Sequence, residues 1–250
     1  RLDLIAGNVG LNTKYHASAA EPTLLYAGDL DGDGHDALVE AQYEHGHLYP
    51  VRGRSKLSYT FRWLTKKFPT YAAYAHATLP EIFGADRLAT AHVLAATELR
   101  SGVFRQQADG TFKFVPLPRL AQIAPINAIL AGDLTGAGHV DLFVAGNNFG
   151  PEPSTGRFDG GVGLLLAGDG RGGFTPLLPR DSGLLVTGET RAAALVRVAG
   201  AAGPSLVVAR TDGPVLLFTS PHPWNQQAYP PPRADSSSPA SLPRSPTPPP

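Results

Sequence analysis

A Gly-rich loop between two short apolar runs occurs more than once in this chain, and this internal repeat constrains the fold more than any other feature. The segment Ala27-Gly28-Asp29-Leu30 returns as Ala131-Gly132-Asp133-Leu134, and the ungapped match extends through residues 41 and 145. A weaker third copy aligns residues 206–209 with residues 142–145. Apolar runs this short, bounded by Gly, predict paired strands rather than helices.

A second kind of hairpin alternates with the first. Asp-Gly stands between apolar runs at residues 109–110, 169–170 and 212–213, and Gly accepts the positive φ that such a tight turn needs. A loop hairpin followed by an Asp-Gly hairpin, three times over, predicts an all-β chain of about three four-stranded units, as in β-propeller blades. Because closed propellers have about four to eight blades, we expect an open, partial β-propeller over residues 1–220, with further blades upstream.

Two segments interrupt this pattern. Between about residues 57 and 84 the strand signals give way to Ala, Lys, Phe and Tyr. There Thr78 and Glu81 form a capping box and Gly84 a C-terminal stop, which predicts two or three short inserted helices. Residues 221–250 consist mainly of Pro, Ser and Ala. We expect this Pro/Ser-rich tail to be disordered, because it has too little apolar surface to offset the entropy of ordering.

Composition excludes several function classes. The 21 basic and 21 acidic side chains balance, so we expect no nucleic-acid partner, since such binders carry surplus Lys and Arg. The chain has no Cys, which excludes disulfides, thiol nucleophiles and Cys-type zinc sites. No apolar run reaches the roughly 18 residues of a membrane-spanning helix. The chain begins at Arg1 and contains no Met, which is typical of part of a longer chain whose signal peptide would lie upstream.

The motif with the most chemical content is Asp29-Leu30-Asp31-Gly32-Asp33-Gly34-His35-Asp36. Carboxylates at alternate positions of a tight loop converge on one point, and hard oxygen ligands suit Ca²⁺ better than softer metals. The spacing also fits an EF-hand, with Glu40 in the twelfth position. We reject the EF-hand for two reasons. Pro22 and Gly28 are incompatible with a helix that enters the loop, and an extended strand would carry Glu40 roughly 10 Å beyond residue 37, too far to bind the same ion.

The remaining interpretation is a strand–loop–strand calcium site with carboxylates at loop positions one, three, five and nine and a carbonyl at position seven. The first copy has three of the four carboxylates, with Ala37 at position nine unless Asp36 takes that role. The second copy retains the first and last carboxylates, and the third copy retains none. The ligand count favours calcium at residues 29–36 over residues 133–141. The alternative is an Asp- and Gly-rich turn that hydrogen-bonds its own amides and needs no ion. The candidate metal ligands are Asp29, Asp31, Asp33, His35, Asp36, Asp133 and Asp141.

Four other segments carry weaker signals. His45-Gly46-His47 beside Glu44 could hold a metal, although two His in a polar loop are usually solvated. The Gly-rich run at residues 168–173 lacks the Lys-Ser/Thr ending of a phosphate loop. Loops on rigid scaffolds often bind partners, so the long polar loop at residues 147–159 is the expected contact surface. A basic stretch could bind phosphate or form a solvated helix face; it comprises Arg52, Arg54, Arg62, Lys66 and Lys67.

Three of these features together resemble the FG-GAP/VCBS-repeat proteins, which have integrin-α-like β-propellers. They are residues 29–36 with the strand that follows, residues 133–144, and the Gly-Asp-Gly…Gly-Phe-Thr hairpin ending at Thr175. Residues 7–15, 48–54, 66–71 and 156–159 are similar to Bacteroidetes-type VCBS-repeat proteins related to the ASPIC/UnbV and cartilage acidic protein group. The resemblance covers about residues 1–219. It implies an exported or cell-surface propeller for adhesion or recognition, with calcium in its blade loops.

Two functions from different classes are consistent with these residues. No Ser/His/Asp order stands out, and no carboxylate pair does so apart from the calcium-type loops. We therefore expect a non-catalytic extracellular module that recognises a protein or glycan. The alternative is a calcium-dependent polysaccharide lyase or hydrolase, for which the basic stretch near Tyr49 and Tyr59 would line the groove.

Overall fold

The computed structural model describes residues 2–200 and 203–219. Within them the chain forms fourteen strands, six short α-helices and one 3-10 helix, which covers Arg119–Gln122. The strands are β1 (Leu4–Ala6), β2 (Thr23–Gly28), β3 (Ala37–Glu44), β4 (His47–Pro50), β5 (His92–Ala96), β6 (Gly102–Gln106), β7 (Phe112–Pro116), β8 (Ile126–Gly132), β9 (Asp141–Gly146), β10 (Leu164–Gly168), β11 (Phe174–Leu177), β12 (Thr190–Val196), β13 (Ser205–Arg210) and β14 (Leu216–Thr219). The α-helices are α1 (Arg54–Thr60), α2 (Leu64–Lys67), α3 (Tyr71–Ala75), α4 (Leu79–Phe83), α5 (Ala85–Thr90) and α6 (Pro179–Ser182).

The strands form four antiparallel sheets. The first sheet has the order β4-β3-β2-β5, and the second has the order β1-β6-β7. The third sheet is the four-stranded meander β8-β9-β10-β11, and the fourth is β12-β13-β14. The described strands do not close into a barrel.

Strand β9 of the third sheet is buried on both faces. Leu142 and Val144 point to one face and pack in a cluster with Val103 of the second sheet. Phe143 and Ala145 point to the opposite face and pack in a cluster with the fourth sheet. A continuous apolar run is what a strand covered on both faces requires.

The first sheet has a core of its own, which the helices α1–α5 cover. Phe61, Leu64, Leu79 and Ile82 are almost completely buried and share a cluster with alternating side chains of β2 and β3. The rings of Phe61 and Phe83 meet edge to face at 4.9 Å. The inserted segment is therefore the apolar cover of one sheet face.

The local sequence signals agree with these elements. Each of the three repeats is a strand–loop–strand hairpin, namely β2–β3, β8–β9 and β12–β13. The Asp-Gly turns at residues 109–110, 169–170 and 212–213 join β6–β7, β10–β11 and β13–β14. The Glu81 carboxylate accepts hydrogen bonds from the backbone N–H and the hydroxyl of Thr78 at 2.7 and 2.8 Å, and Gly84 ends α4 as predicted.

The division into three four-stranded units is correct for the third sheet, in which the second loop hairpin and an Asp-Gly hairpin form one four-stranded meander. It is wrong for the other two units. The hairpin β6–β7 pairs with β1 near the N-terminus instead of joining β2 and β3. The first sheet is completed by β4 and β5. In the fourth sheet β13 serves both the loop hairpin and the Asp-Gly hairpin, so the described part has three strands. The insertion has five helices over residues 54–90, not two or three over 57–84.

None of the helices in the described ranges combines the length and the apolar character needed to cross a membrane. The predicted disordered tail, residues 221–250, lies outside the described residues.

Candidate metal centre

The first Asp-rich loop joins β2 to β3, with strands on both sides. Gly32 and Gly34 have φ values of 79° and 85°, a left-handed conformation that Gly adopts at little cost. Glu40 lies within β3 and bonds to Tyr15 and Arg52, not to the loop. The loop is therefore a strand–loop–strand corner, as the sequence predicted, and not an EF-hand.

Three carboxylates converge in this corner. One oxygen from each of Asp29, Asp31 and Asp33 lies within 4.8 Å of the others. Calcium binds oxygen at 2.3–2.6 Å, so ligands on opposite sides of the ion are roughly 4.6–5.2 Å apart. The spacing of the three side chains fits a cation of that size.

The backbone of the loop wraps around Asp29. Its carboxylate accepts the N–H groups of Gly32 at 2.6 Å and of Asp33 and Gly34 at 3.1 Å. Desolvation acts to raise the pKa of the Asp29 carboxyl, but these backbone hydrogen bonds hold the pKa below its usual value. Asp29 is thus ionised at neutral pH.

The helical insertion holds the loop from outside. The indole Nε1–H of Trp63 donates to Asp31 Oδ2 at 2.9 Å. The guanidinium of Arg87 lies against Gly32, where a Cβ would come within 2.8 Å of its nitrogens. Trp63 and Arg87 were not predicted, because nothing near the loop in sequence indicates partners from a distant helix.

The remaining predicted ligands of the first loop lie outside the cluster. The backbone N–H of His35 donates to Asp33 at 2.8 Å, while the side chains of His35 and Asp36 are not part of the three-carboxylate group. Ala37, at position nine, is the first residue of β3. Any further ligands would have to be carbonyls such as that of His35, or water.

The second loop uses its carboxylates differently. Asp133 and Asp141 are only 2% and 0% exposed. Asp141 accepts the N–H groups of Leu134 at 2.9 Å, Thr135 at 2.7 Å and Gly168 at 2.8 Å. Asp133 accepts the N–H of Gly138 with Oδ2, while its buried Oδ1 has no partner. Asp141 thereby accepts hydrogen bonds from backbone amides of two neighbouring turns, so its role in the fold is structural.

The His candidates lie in a hairpin turn. His45 and Gly46 have φ values of 52° and 79° and form the two-residue connection between β3 and β4. Positive φ at both central residues is the type I′ geometry that fits the twist of paired strands. Within the described residues, neither His45 nor His47 joins a cluster of three metal-ligating side chains.

Much of the basic stretch is used within the fold. Arg54 donates to the carbonyls of Phe68 and Pro69, and Lys67 donates to two carbonyls of α4, those of Glu81 and Ile82. The Gly-rich run at 168–173 is likewise a turn that bonds itself, since Asp169 accepts the N–H groups of residues 171 and 173. These contacts favour structural roles over phosphate binding.

The predicted contact loop at residues 147–159 is ordered by contacts on both sides. Asn148 and Phe158 exchange backbone hydrogen bonds at 2.8 and 2.9 Å. Glu152 forms ion pairs of 3.9 Å with Arg52 and with Lys56. A hydrogen bond from Ser154 and then the charges of Arg52 and Lys56 keep the pKa of Glu152 below its usual value, against desolvation.

The outer part of this loop presents a cation over an aromatic ring. The guanidinium carbon of Arg157 lies 3.9 Å from the ring centroid of Phe149, and Arg157 is exposed. Such a pair offers a partner both charge and a flat apolar surface.

In comparisons with known proteins, the chain matches no protein-family model and no curated protein sequence.

Proposed function

We propose that this chain is a non-catalytic recognition or adhesion module of the FG-GAP/VCBS-repeat type, acting outside the cell or on its outer surface. In this proposal calcium binds Asp29, Asp31 and Asp33 and stabilises the corner between β2 and β3. The observation that carries the proposal is the convergence of these three carboxylates within 4.8 Å. The calcium ion would be a structural element, which holds the loop and the helical insertion in one arrangement.

The 147–159 loop is the proposed contact surface. Its Asn148–Phe158 bridge and the ion pairs of Glu152 hold it in place, while Arg157 over Phe149 stays accessible. A rigid scaffold that presents an ordered loop is a common arrangement for binding. The partner is a protein or a glycan.

Thermal unfolding tests the calcium part. A ligand that binds only the folded state stabilises it by about 2.7 kcal/mol at a hundredfold excess over Kd, and each kcal/mol is worth roughly 2–4 °C in a chain of this size. We expect Tm to rise with calcium and to fall with a chelator. Asp31→Asn removes a charged ligand but retains an acceptor for Trp63, so it should abolish most of the calcium response.

The matched control is Asp109→Asn, which changes an Asp that only bonds Thr111 in a hairpin turn. Its calcium response should equal that of the wild type. If added calcium changes the Tm of neither the wild type nor Asp31→Asn, the first loop is an ion-free turn.

Binding to protein and glycan arrays tests the recognition part. We expect saturable binding that Arg157→Ala weakens, because this change removes the exposed cation beside Phe149. Arg62→Ala removes an exposed Arg from the helical insertion and should leave the binding unchanged. Release of reducing ends or unsaturated products from a polysaccharide would instead show that the chain is an enzyme.

A further inference from the structure

A small apolar pocket of about 80 Å³ lies beside the base of the 147–159 loop. Its lining includes Gly146 and Gly161, which lie on either side of this loop in the sequence. Leu120 of the 3-10 helix also lines the pocket and is 40% exposed, whereas Val144 of β9 is 3% exposed. The pocket therefore runs from an accessible rim to a buried floor.

The pocket offers almost nothing to a polar group. Every lining residue is Gly, Ala, Pro, Val, Leu or Ile, so no side chain there can form a hydrogen bond. Backbone carbonyls of the lining are already used: that of Gly161 accepts from Asn147 Nδ2 at 2.8 Å, and those of Pro125 and Val162 accept N–H groups at 3.1 and 2.7 Å. A buried water needs about two to four polar partners, so the pocket favours an apolar occupant.

This chemistry distinguishes between the two classes of partner. A sugar hydroxyl in the pocket would lose its hydrogen bonds to water without a replacement, which is costly. An aliphatic side chain has no such bonds to lose, and its burial is favourable. A cavity of about 150 Å³ holds a benzene ring, so the smaller pocket suits a side chain such as Val, Leu or Pro. The occupant that fits is therefore part of a protein.

The surface beside the pocket carries unpaired positive charge. Arg157 and Arg119 are exposed, and Arg119 directly precedes the rim residue Leu120. None of the ion pairs among the described residues includes either Arg. Asp159, also exposed, balances one of these charges, so the two Arg leave a net positive surface. Such a surface complements a carboxylate on the partner.

The chain limits the distance between the pocket and this charge. Four residues separate Gly161 from Arg157, so their backbones are at most about 14 Å apart. The backbone hydrogen bonds between Asn148 and Phe158 hold the base of the loop between them. An extended partner advances about 3.3 Å per residue. Its carboxylate would therefore lie within about four residues of the side chain in the pocket.

We propose that this pocket receives one aliphatic side chain of an acidic protein segment, whose carboxylate pairs with the exposed Arg157. The inference rests on the recognition function proposed above and selects a protein, not a glycan, as the partner of the 147–159 loop. A side chain seated in a dry pocket beside a charged rim is the arrangement in which protein interfaces concentrate their binding energy.

Selection from a phage-displayed library of random linear peptides tests this on the full chain, with a glycan array screened in parallel. We expect enriched peptides that carry Asp or Glu within about four residues of Val, Leu, Ile or Pro. Fluorescence anisotropy of the labelled peptides then measures their affinity. Leu120→Asn removes the aliphatic rim without adding charge and should weaken binding about fivefold or more. Arg157→Glu should weaken it at least as much.

Two matched controls separate these effects from general ones. Val215→Asn changes an exposed apolar residue outside the pocket, and Arg62→Glu reverses an exposed charge on the helical insertion. Both should leave the affinity unchanged. Because Leu120 and Val215 are exposed, both Asn variants should unfold near the Tm of the wild type.

The outcomes against the proposal are distinct. Equal affinity of the peptides for the wild type and Leu120→Asn would show that the pocket is not the anchor site. Enriched peptides without an acidic residue, or equal effects of Arg157→Glu and Arg62→Glu, would exclude the pairing with Arg157. Glycan binding that depends on Arg157, with no peptide enriched, would overturn this inference and leave the recognition function standing. Binding of neither class would overturn both.

Discussion

At the scale of single residues, Asn147 shows why part of the predicted contact loop is structural. Its side chain is only 2% exposed, and its φ of 77° is a left-handed value that Asn tolerates better than most residues. Its Nδ2 donates to the carbonyls of Gly161 and Gly188, and its Oδ1 accepts the N–H of Gly161, each at 2.8 Å. One amide thus joins the end of β9 to the two segments that precede β10 and β12.

We predict that Asn147→Ala lowers the free energy of unfolding by about 3–5 kcal/mol. The variant loses three part-buried hydrogen bonds of about 1 kcal/mol each, and it places Ala in a left-handed backbone conformation that Ala tolerates poorly. Asn147→Gly relieves the backbone strain but still loses the bonds, so its loss should be smaller. Urea unfolding measures both. Asn148→Ala is the control, since the Asn148 side chain accepts one exposed hydrogen bond, from Gly150. An effect of Asn147→Ala no larger than that of Asn148→Ala would contradict this role.

At the scale of elements, the sequence predicted what local chemistry determines. Asp-Gly turns fix hairpins within a few residues, and alternating carboxylates converge wherever a loop is tight, so β6–β7 and the Asp29 cluster were predictable. Strand β4 was not predicted, because a positive φ is uncommon for any residue other than Gly and the His45-Gly46 turn was interpreted as a possible metal site. Strand β5 was not predicted because it is short, fully exposed and directly follows a helix.

Contacts between distant segments account for the other errors. Strand β1 pairs with β6, and Trp63 reaches Asp31 from the insertion, but no periodicity in a single sequence encodes such pairings. The same limit applies to close backbone approaches. A Cβ on Gly146 would lie 1.7 Å from the Pro125 carbonyl oxygen, so Gly146 is required where β9 meets β8, although in sequence it resembles any other Gly.

At the scale of the whole molecule, the first and fourth sheets each leave large apolar side chains exposed on one face. In the first sheet Leu38 is 64% exposed and Leu94 is 54% exposed, and both lie on the face opposite the helices. Their cross-strand neighbours on β2 are Ala27 and Leu25, which share that face. In the fourth sheet Leu217 is 51% exposed, while its strand neighbours Leu216 and Phe218 pack inward. Exposed apolar sheet faces of this kind promote association.

We predict that the purified chain associates as its concentration rises and that Leu38→Lys with Leu94→Lys suppresses this association. The two changes remove apolar surface from the open face, and the like charges of Lys on two copies of that face repel each other. Because both side chains are already largely in solvent, Tm should change little, as is usual for surface substitutions.

Light scattering against concentration measures the association. Leu11→Lys changes an exposed Leu of another segment and should leave the scattering unchanged. If the double variant scatters as much as the wild type, the open face of the first sheet does not drive association. The fourth sheet around Leu217 would then be the surface to change next.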